Sequence, residues 1–263
     1  MKLREKYRII RVPADGSNDE SLKDQYSCYL YNSKSFLIRY YAYLPFVFSL
    51  KYIRFSEHSR VLDIGCADGP FLPTLNQYAR SIVANDINEE FIRESKNLVD
   101  NKLKNVKKIN LACSDGQALP FRDNKFDLVF CLEVLEHVKN PDQFINEVFR
   151  VLRRNGILIC TLPVEIGISL LIRTMIGKMV NFKRPKYGLK ELIRIIILKR
   201  PKIRPEYIGH KEYARETGHK NFDWRVIKRK IGLRFKIIRT RFVPINFLKD
   251  INPIVLIKAI KNS

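Results

Sequence analysis

Short apolar runs recur along the middle of this chain, separated by longer amphipathic stretches. The runs predict strands at residues 60–65, 81–86, 106–112, 126–131 and 156–162. The stretches between them predict helices at 71–79, 88–101 and 141–152. Asn88-Glu89-Glu90 places a capping side chain and two acids at one helix start, and Pro141-Asp142 does similar work at another. A further helix at 223–231 and strands at 234–242 and 254–260 follow near the end. This alternation predicts an α/β fold, a Rossmann-like, mostly parallel sheet of about seven strands with helices on both faces.

Two regions depart from the alternation. Eleven aromatic residues fall between Tyr26 and Phe55, and the segment is predicted helical on both sides of Pro45. Such a stripe packs against a sheet or covers a ligand, and the two roles are compatible. After Pro163, residues 165–180 and 189–200 read as two short apolar helices edged with lysine and arginine. The expected organisation is therefore an aromatic-rich helical segment at 1–56, placed to act as a lid, and an α/β core at 57–163. A basic, apolar helical insertion follows at 164–218, and the return helix and last two strands of the core occupy 219–263.

Charge sharpens this division. Residues 1–160 hold 24 Lys and Arg against 20 Asp and Glu, whereas residues 161–263 hold 25 against 7. A basic half beside a nearly neutral one points to polyanions, an anionic membrane surface or a phosphate-bearing substrate. The five cysteines form no C-x-x-C pair, which fits buried thiols in a reducing compartment better than disulfides or zinc. No H-x-x-x-H or carboxylate triad at ligand spacing is visible, so no metal site is expected. The first residues lack the apolar run of a signal peptide, and no apolar run approaches the ~20 residues that span a bilayer. The expectation is a cytoplasmic protein, at most peripheral on a membrane.

The chemistry concentrates at Asp63-Ile64-Gly65-Cys66-Ala67-Asp68-Gly69, answered by Asp86 at the end of the next apolar run. Strand, glycine turn, helix and acid-ended strand are the wiring of a nucleotide-binding βαβ unit. Ala67 and Pro70 stand where a dinucleotide fingerprint needs glycine, and Asp63 would repel a pyrophosphate. Adenosine joined to a cationic amino acid fits better.

At these residues the chain resembles the class I S-adenosylmethionine-dependent methyltransferases, specifically the type 11 group related to ubiquinone and menaquinone biosynthesis. The resemblance runs from Arg60 to about Leu162 and returns from about Gly218. It rests on Val61 to Gly69, on Asp86, on Ser114-Asp115-Gly116 through Phe121, and on Phe126 to Phe130 with Leu132 to Val138. Val151 to Ile159 completes it. It implies S-adenosylmethionine as cofactor, bound by Asp63, Gly65, Cys66, Gly69, Asp86, Ile87, Asp115, Gly116 and Cys131. Asp86 would hold the ribose, and Asp115 would lie beside the adenine.

A sulfonium methyl is already activated, so positioning supplies much of the catalysis, and an oxygen nucleophile still gains from losing its proton. His137, after the fourth strand, and His219, before the last helix, are the candidate general bases. The expected acceptor is a lipid-borne or membrane-presented small molecule or glycan. RNA methylation through the basic half and a non-catalytic S-adenosylmethionine-binding module are the alternatives.

Overall fold

The computed structural model describes residues 8–9, 30–31, 33–56, 58–103, 108–179, 187–198 and 222–262. Its centre is a seven-stranded sheet in the order β3-β2-β1-β4-β5-β7-β6. The strands are β1 (Arg60–Ile64), β2 (Ser81–Asp86), β3 (Ile109–Cys113), β4 (Phe126–Leu132), β5 (Leu152–Pro163), β6 (Lys236–Val243) and β7 (Ile254–Ile260). The first five are parallel, and β7 runs antiparallel between β5 and β6. The mostly parallel α/β fold expected from the alternation is the fold observed.

Period-two alternation builds a core on each face of the sheet. On one face Leu62, Val129, Cys131, Leu158, Cys160 and Ile257 meet Phe144, Ile145 and Val148 of α4 (Pro141–Val151) and Ile227 and Ile231 of α7 (Trp224–Arg234). On the other, Val61, Phe130 and Leu256 meet Leu44, Phe46 and Leu50 of α1 (Phe36–Lys51) and Leu72 and Leu75 of α2 (Leu72–Tyr78). A single helix, α1, runs through Pro45. Phe46 stacks on Phe71 at 4.5 Å between ring centroids, and Phe71 meets Phe130 edge-on at 5.1 Å. Packing therefore accounts for the inward half of the aromatic stripe, while Phe36, Leu37 and Tyr40 stay exposed.

Strand β5 starts four residues before the predicted Gly156. Leu152 already pairs with Phe126, a register shift follows, and Asn155 adopts φ +59° before regular pairing resumes at Ile157. The polar run Arg153-Arg154-Asn155 falls between the predicted helix and strand, and it is an irregular strand segment. Arg153 reaches Asp127, whose carboxylate also accepts from the backbone and side chain of Arg60.

Beyond β5 come α5 (Ile168–Met179) and α6 (Leu189–Ile196). Both contribute to the sheet's own core: Val164, Ile166, Leu170 and Ile195 are buried in it, and Gly167 N–H donates to the Ile195 carbonyl. The sequence suggests that α6 turns Leu189, Leu192, Ile193, Ile196 and Ile197 to one apolar side. In the fold Ile195 is buried and Leu192 packs partly against the core, while Leu189, Ile193 and Ile197 are exposed. Lys199 and Arg200, the other expected margin of that helix, lie outside the described residues.

Candidate functional site

The chain order reverses direction beside β1: β2 and β3 lie on one side of it, β4 and β5 on the other. In parallel sheets a ligand sits at the carboxyl ends of the strands at such a switch. Here the chain leaves β1 as a glycine turn. Gly65 and Gly69 adopt φ +72° and +86°, and a Cβ on Gly65 would stand 2.4 Å from Val134 Cγ2. Glycine is required at Gly65 both for the left-handed backbone and for that close approach. The turn is pinned to the next strand by Gly65 and Cys66 N–H groups donating to the Asn85 carbonyl at 2.7 and 3.1 Å.

Asp86, at the end of β2, shapes the same turn. Its Oδ2 accepts from Ala67 N–H at 3.0 Å and its Oδ1 from Asn88 N–H at 2.9 Å. Ala67 holds φ +49°, and its carbonyl accepts from the Ser95 hydroxyl at 2.9 Å. On the far side of β2, Asn85 Nδ2 donates to Ser114 Oγ at 2.6 Å, tying the loop after β3 to the turn. In that loop Asp115 accepts from Gln117 N–H at 2.8 Å, and a Cβ on Gly116 would strike Phe144 at 2.3 Å.

Asp63 lies beneath this arrangement, 4% exposed. Burial, then the like charge of Asp86, raise its pKa to about 8, and no cation of the described residues offsets them. Burial and the Asp63 and Asp86 charges likewise push the Cys66 thiol up. Burial also takes Asp68 to about 6, and its Oδ1 is buried without a hydrogen-bond partner. A buried Asp63 carboxyl beside the Asp86 carboxylate is complementary to a ligand that brings a cation of its own. It is unsuited to a pyrophosphate.

The structure thus brings Asp63, Gly65, Cys66, Gly69, Asp86, Asp115 and Gly116 to one edge of the sheet. Ile87 sits beside Asp86 and is exposed. Cys131 is fully buried in the core at the end of β4, where it pairs with Cys160 of β5. Its place at a strand end reads from sequence as a lining position, but strand alternation turns it inward. His137 is half-buried in the loop after β4, with its N–H donating to the Val134 carbonyl. His219 lies outside the described residues.

One constellation escapes the sequence reading. Glu133 and Glu136 after β4, Glu165 after β5 and Arg173 of α5 converge below the surface, with Arg173 Nε 2.8 Å from Glu165 Oε1 and Nη1 3.8 Å from Glu133 Oε2. An arginine inside an otherwise apolar helix and the E-x-x-E spacing were the available signals. Among the described residues no group of three His, Cys, Asp or Glu is arranged to hold a metal ion.

Comparison with known proteins gives this geometry its class. Residues 62–160 match the model of a methyltransferase domain family. Over 110 residues the chain is 30% identical to a ubiquinone biosynthesis O-methyltransferase of Coxiella burnetii, covering 41% of this chain and 46% of that protein. An uncharacterized protein of Methanocaldococcus jannaschii is 40% identical over 100 residues, 38% of each chain. The chain thus spans less than half the length of these curated relatives. In overall fold it is similar to a solved protein of Pyrococcus horikoshii (TM-score 0.59, 19% identity, 94% of this chain and 100% of that one). A methyltransferase of Aquifex aeolicus is similar too (TM-score 0.53, 16% identity, 95% and 100%). Residues 62–160 are thus similar to methyltransferase domains of the type 11 group, which implies S-adenosylmethionine as the cofactor.

Asp63 supplies a direct test of that fit. A ligand ammonium beside it favours the carboxylate, so cofactor affinity is expected to rise from pH 6 toward pH 8.5, by at most about tenfold per unit. Asp63→Asn should flatten the profile, as titration calorimetry would show. In the free protein the sign is opposite. A carboxyl whose folded pKa is raised contributes stability below about pH 4 and loses it as pH climbs through about 8. Asp63→Asn should therefore gain on the wild type in melting temperature across that window.

Proposed function

We propose that the chain is an S-adenosylmethionine-dependent methyltransferase acting on a lipid-borne or membrane-presented small molecule or glycan. In this reading Asp86 holds the ribose hydroxyls, and the turn from Gly65 to Gly69 cradles the amino-acid end with Asp63 at its ammonium. Asp115 and Gly116 flank the adenine, next to Ile87. The cofactor supplies the activated methyl group, while the protein orients the acceptor and excludes water. His137 and His219 serve as candidate bases for a hydroxyl acceptor.

The observation that carries the acceptor class is the exposed apolar surface of α5 and α6. Ile168, Leu171 and Met175 recur at helical spacing on one, and Leu189, Ile193 and Ile197 on the other, with Lys190 and Arg194 beside them. Apolar side chains edged by cations suit an anionic bilayer surface. The named activity of the Coxiella relative, on a ubiquinone precursor, supports an acceptor of this kind. Among the described residues no helix is long and apolar enough to cross a membrane, so the contact would be superficial.

Co-sedimentation with anionic liposomes over a salt series tests this reading. Ile193→Ser with Ile197→Ser is expected to weaken binding more than Lys190→Gln with Arg194→Gln, and part of the binding should outlast high salt. Exposed Arg229, Arg234, Lys236 and Arg239 on α7 and β6 favour the alternative of RNA. Binding to RNA would fall by orders of magnitude between low and moderate salt. The reverse ranking of variants, or no liposome binding at low salt, would favour that alternative or a soluble acceptor.

A further inference from the structure

Arg54, Arg239, Arg241 and Lys258 gather on the face of the sheet that α1 covers. Arg239 of β6 stands directly opposite Lys258 of β7, and Arg241 stands opposite Leu256. Residues paired in this way share a face, and Leu256 belongs to the core beneath α1. Tyr52, which follows α1, anchors two of the cations. Its carbonyl accepts from Lys258 Nζ at 2.8 Å, and Arg239 Cζ lies 5.1 Å from its ring centroid. Arg54 is close enough to act on Lys258 by like charge.

Like charges directly opposite each other on paired strands are destabilising, so this arrangement needs an explanation. Internal compensation does not supply one. No Asp or Glu of the described residues makes an ion pair with any of these four side chains. Burial, then the charges of Arg239 and Arg54, lowers the Lys258 pKa below the ordinary lysine value, and no acid acts against them. Arg241 Nε is buried without a hydrogen-bond partner, although buried donors are nearly always paired. Excess positive charge and an unused donor thus meet at one place.

We infer that Arg239, Arg241 and Lys258, with Arg54 at the margin, form a binding site for a phosphate monoester or diphosphate group. The two guanidiniums present planar forks of donors that match phosphate oxygens, and the ammonium adds a compact charge. A carboxylate would bring a single negative charge, whereas a phosphate monoester brings about two at neutral pH. The site belongs to β6 and β7, and β7 stands three strands from β1, roughly 14 Å at ordinary strand spacing. It is therefore separate from the cradle at Asp63 and Asp86, and it stands whether or not that cradle takes S-adenosylmethionine. A phospholipid headgroup and a soluble phosphate ester share the required chemistry.

The test follows the melting temperature of the full chain in sodium pyrophosphate against sodium chloride at matched ionic strength. Pyrophosphate is expected to raise it for the wild type, and Arg239→Gln with Arg241→Gln to lose most of that rise. Arg229→Gln with Arg234→Gln removes the same charge from α7, on the opposite face, and should keep it. Without pyrophosphate the Arg239 and Arg241 substitutions should melt no lower than the wild type, because they relieve repulsion. Lys258→Gln is a second variant with the same expected loss of the pyrophosphate response. Phosphatidylcholine vesicles holding phosphatidic acid, a monoester, or phosphatidylglycerol, a diester, at equal charge identify the source. Roughly tenfold tighter binding to phosphatidic acid, lost in the Arg239 and Arg241 variant, marks a lipid headgroup, and a pyrophosphate response without that preference marks a soluble phosphate. An equal pyrophosphate response in the two double variants, or no wild-type response to pyrophosphate or phosphatidic acid, would overturn the inference. So would an RNA oligonucleotide proving the sole probe whose binding depends on Arg239 and Arg241.

Discussion

Arg173→Met is expected to destabilise the fold by about 3–5 kcal/mol, the usual cost of removing one partner of a buried ion pair. The guanidinium joins α5 to Glu165 at 2.8 Å and to the Pro253 carbonyl at 2.9 Å, with almost no access to water. Methionine fills similar volume but removes the Arg173 cation from beside the Glu165 carboxylate, itself 3% exposed. The loss therefore comes from a stranded charge and not from a cavity. Adding Glu165→Leu should recover much of it, since apolar replacement of a whole buried pair is often neutral or better. Urea denaturation of the single and double variants measures both terms. A cost under 1 kcal/mol for Arg173→Met would mean that the pair is wetter than its geometry indicates.

Asp86→Ala is expected to lower cofactor affinity by about ten- to a hundredfold, corresponding to about 1.5–3 kcal/mol for hydrogen bonds to a charged group. Its carboxylate does two jobs, because Ala67 and Asn88 N–H groups already rest on it. Alanine removes the carboxylate proposed to hold the ribose and also loosens the glycine turn. Asp86→Asn separates the two, since an amide oxygen still accepts from a backbone N–H while losing the charge. Calorimetry with S-adenosylhomocysteine should rank wild type above Asn and Asn above Ala, with melting temperature falling mainly for Ala. Unchanged affinity in both variants would remove Asp86 from the site.

The parallel half of the fold was legible because each strand announces itself locally. Val61-Leu62 and Ile82-Val83-Ala84 are apolar on both faces, as strands under helices on both sides must be. The glycine turn was legible for a similar reason, since Gly65 and Gly69 mark backbone that few other residues adopt. What escaped depends on contacts between segments distant in sequence. Glu133 and Arg173 lie forty positions apart, and only the adjacency of β4 and β5 brings them together. The burial of Cys131 was hidden for the same reason: its strand places it at the cleft, but its side chain follows the inward phase. The face of α6 escaped because helical spacing identifies an apolar stripe without saying which part of it meets the core. Ile195 settles that through its packing, not its neighbours in sequence.

Among the described residues strand β6 forms an outer edge of the sheet with no strand on its other side, and it carries Lys236, Arg239 and Arg241. An open edge invites a second copy to add its own strand, which is a common start to aggregation. Two copies meeting there would bring three cations against three at strand spacing, where Coulomb repulsion is strongest and salt screens it least. The basic composition of this half would thus oppose, without any ligand, the extension of one copy's sheet by another.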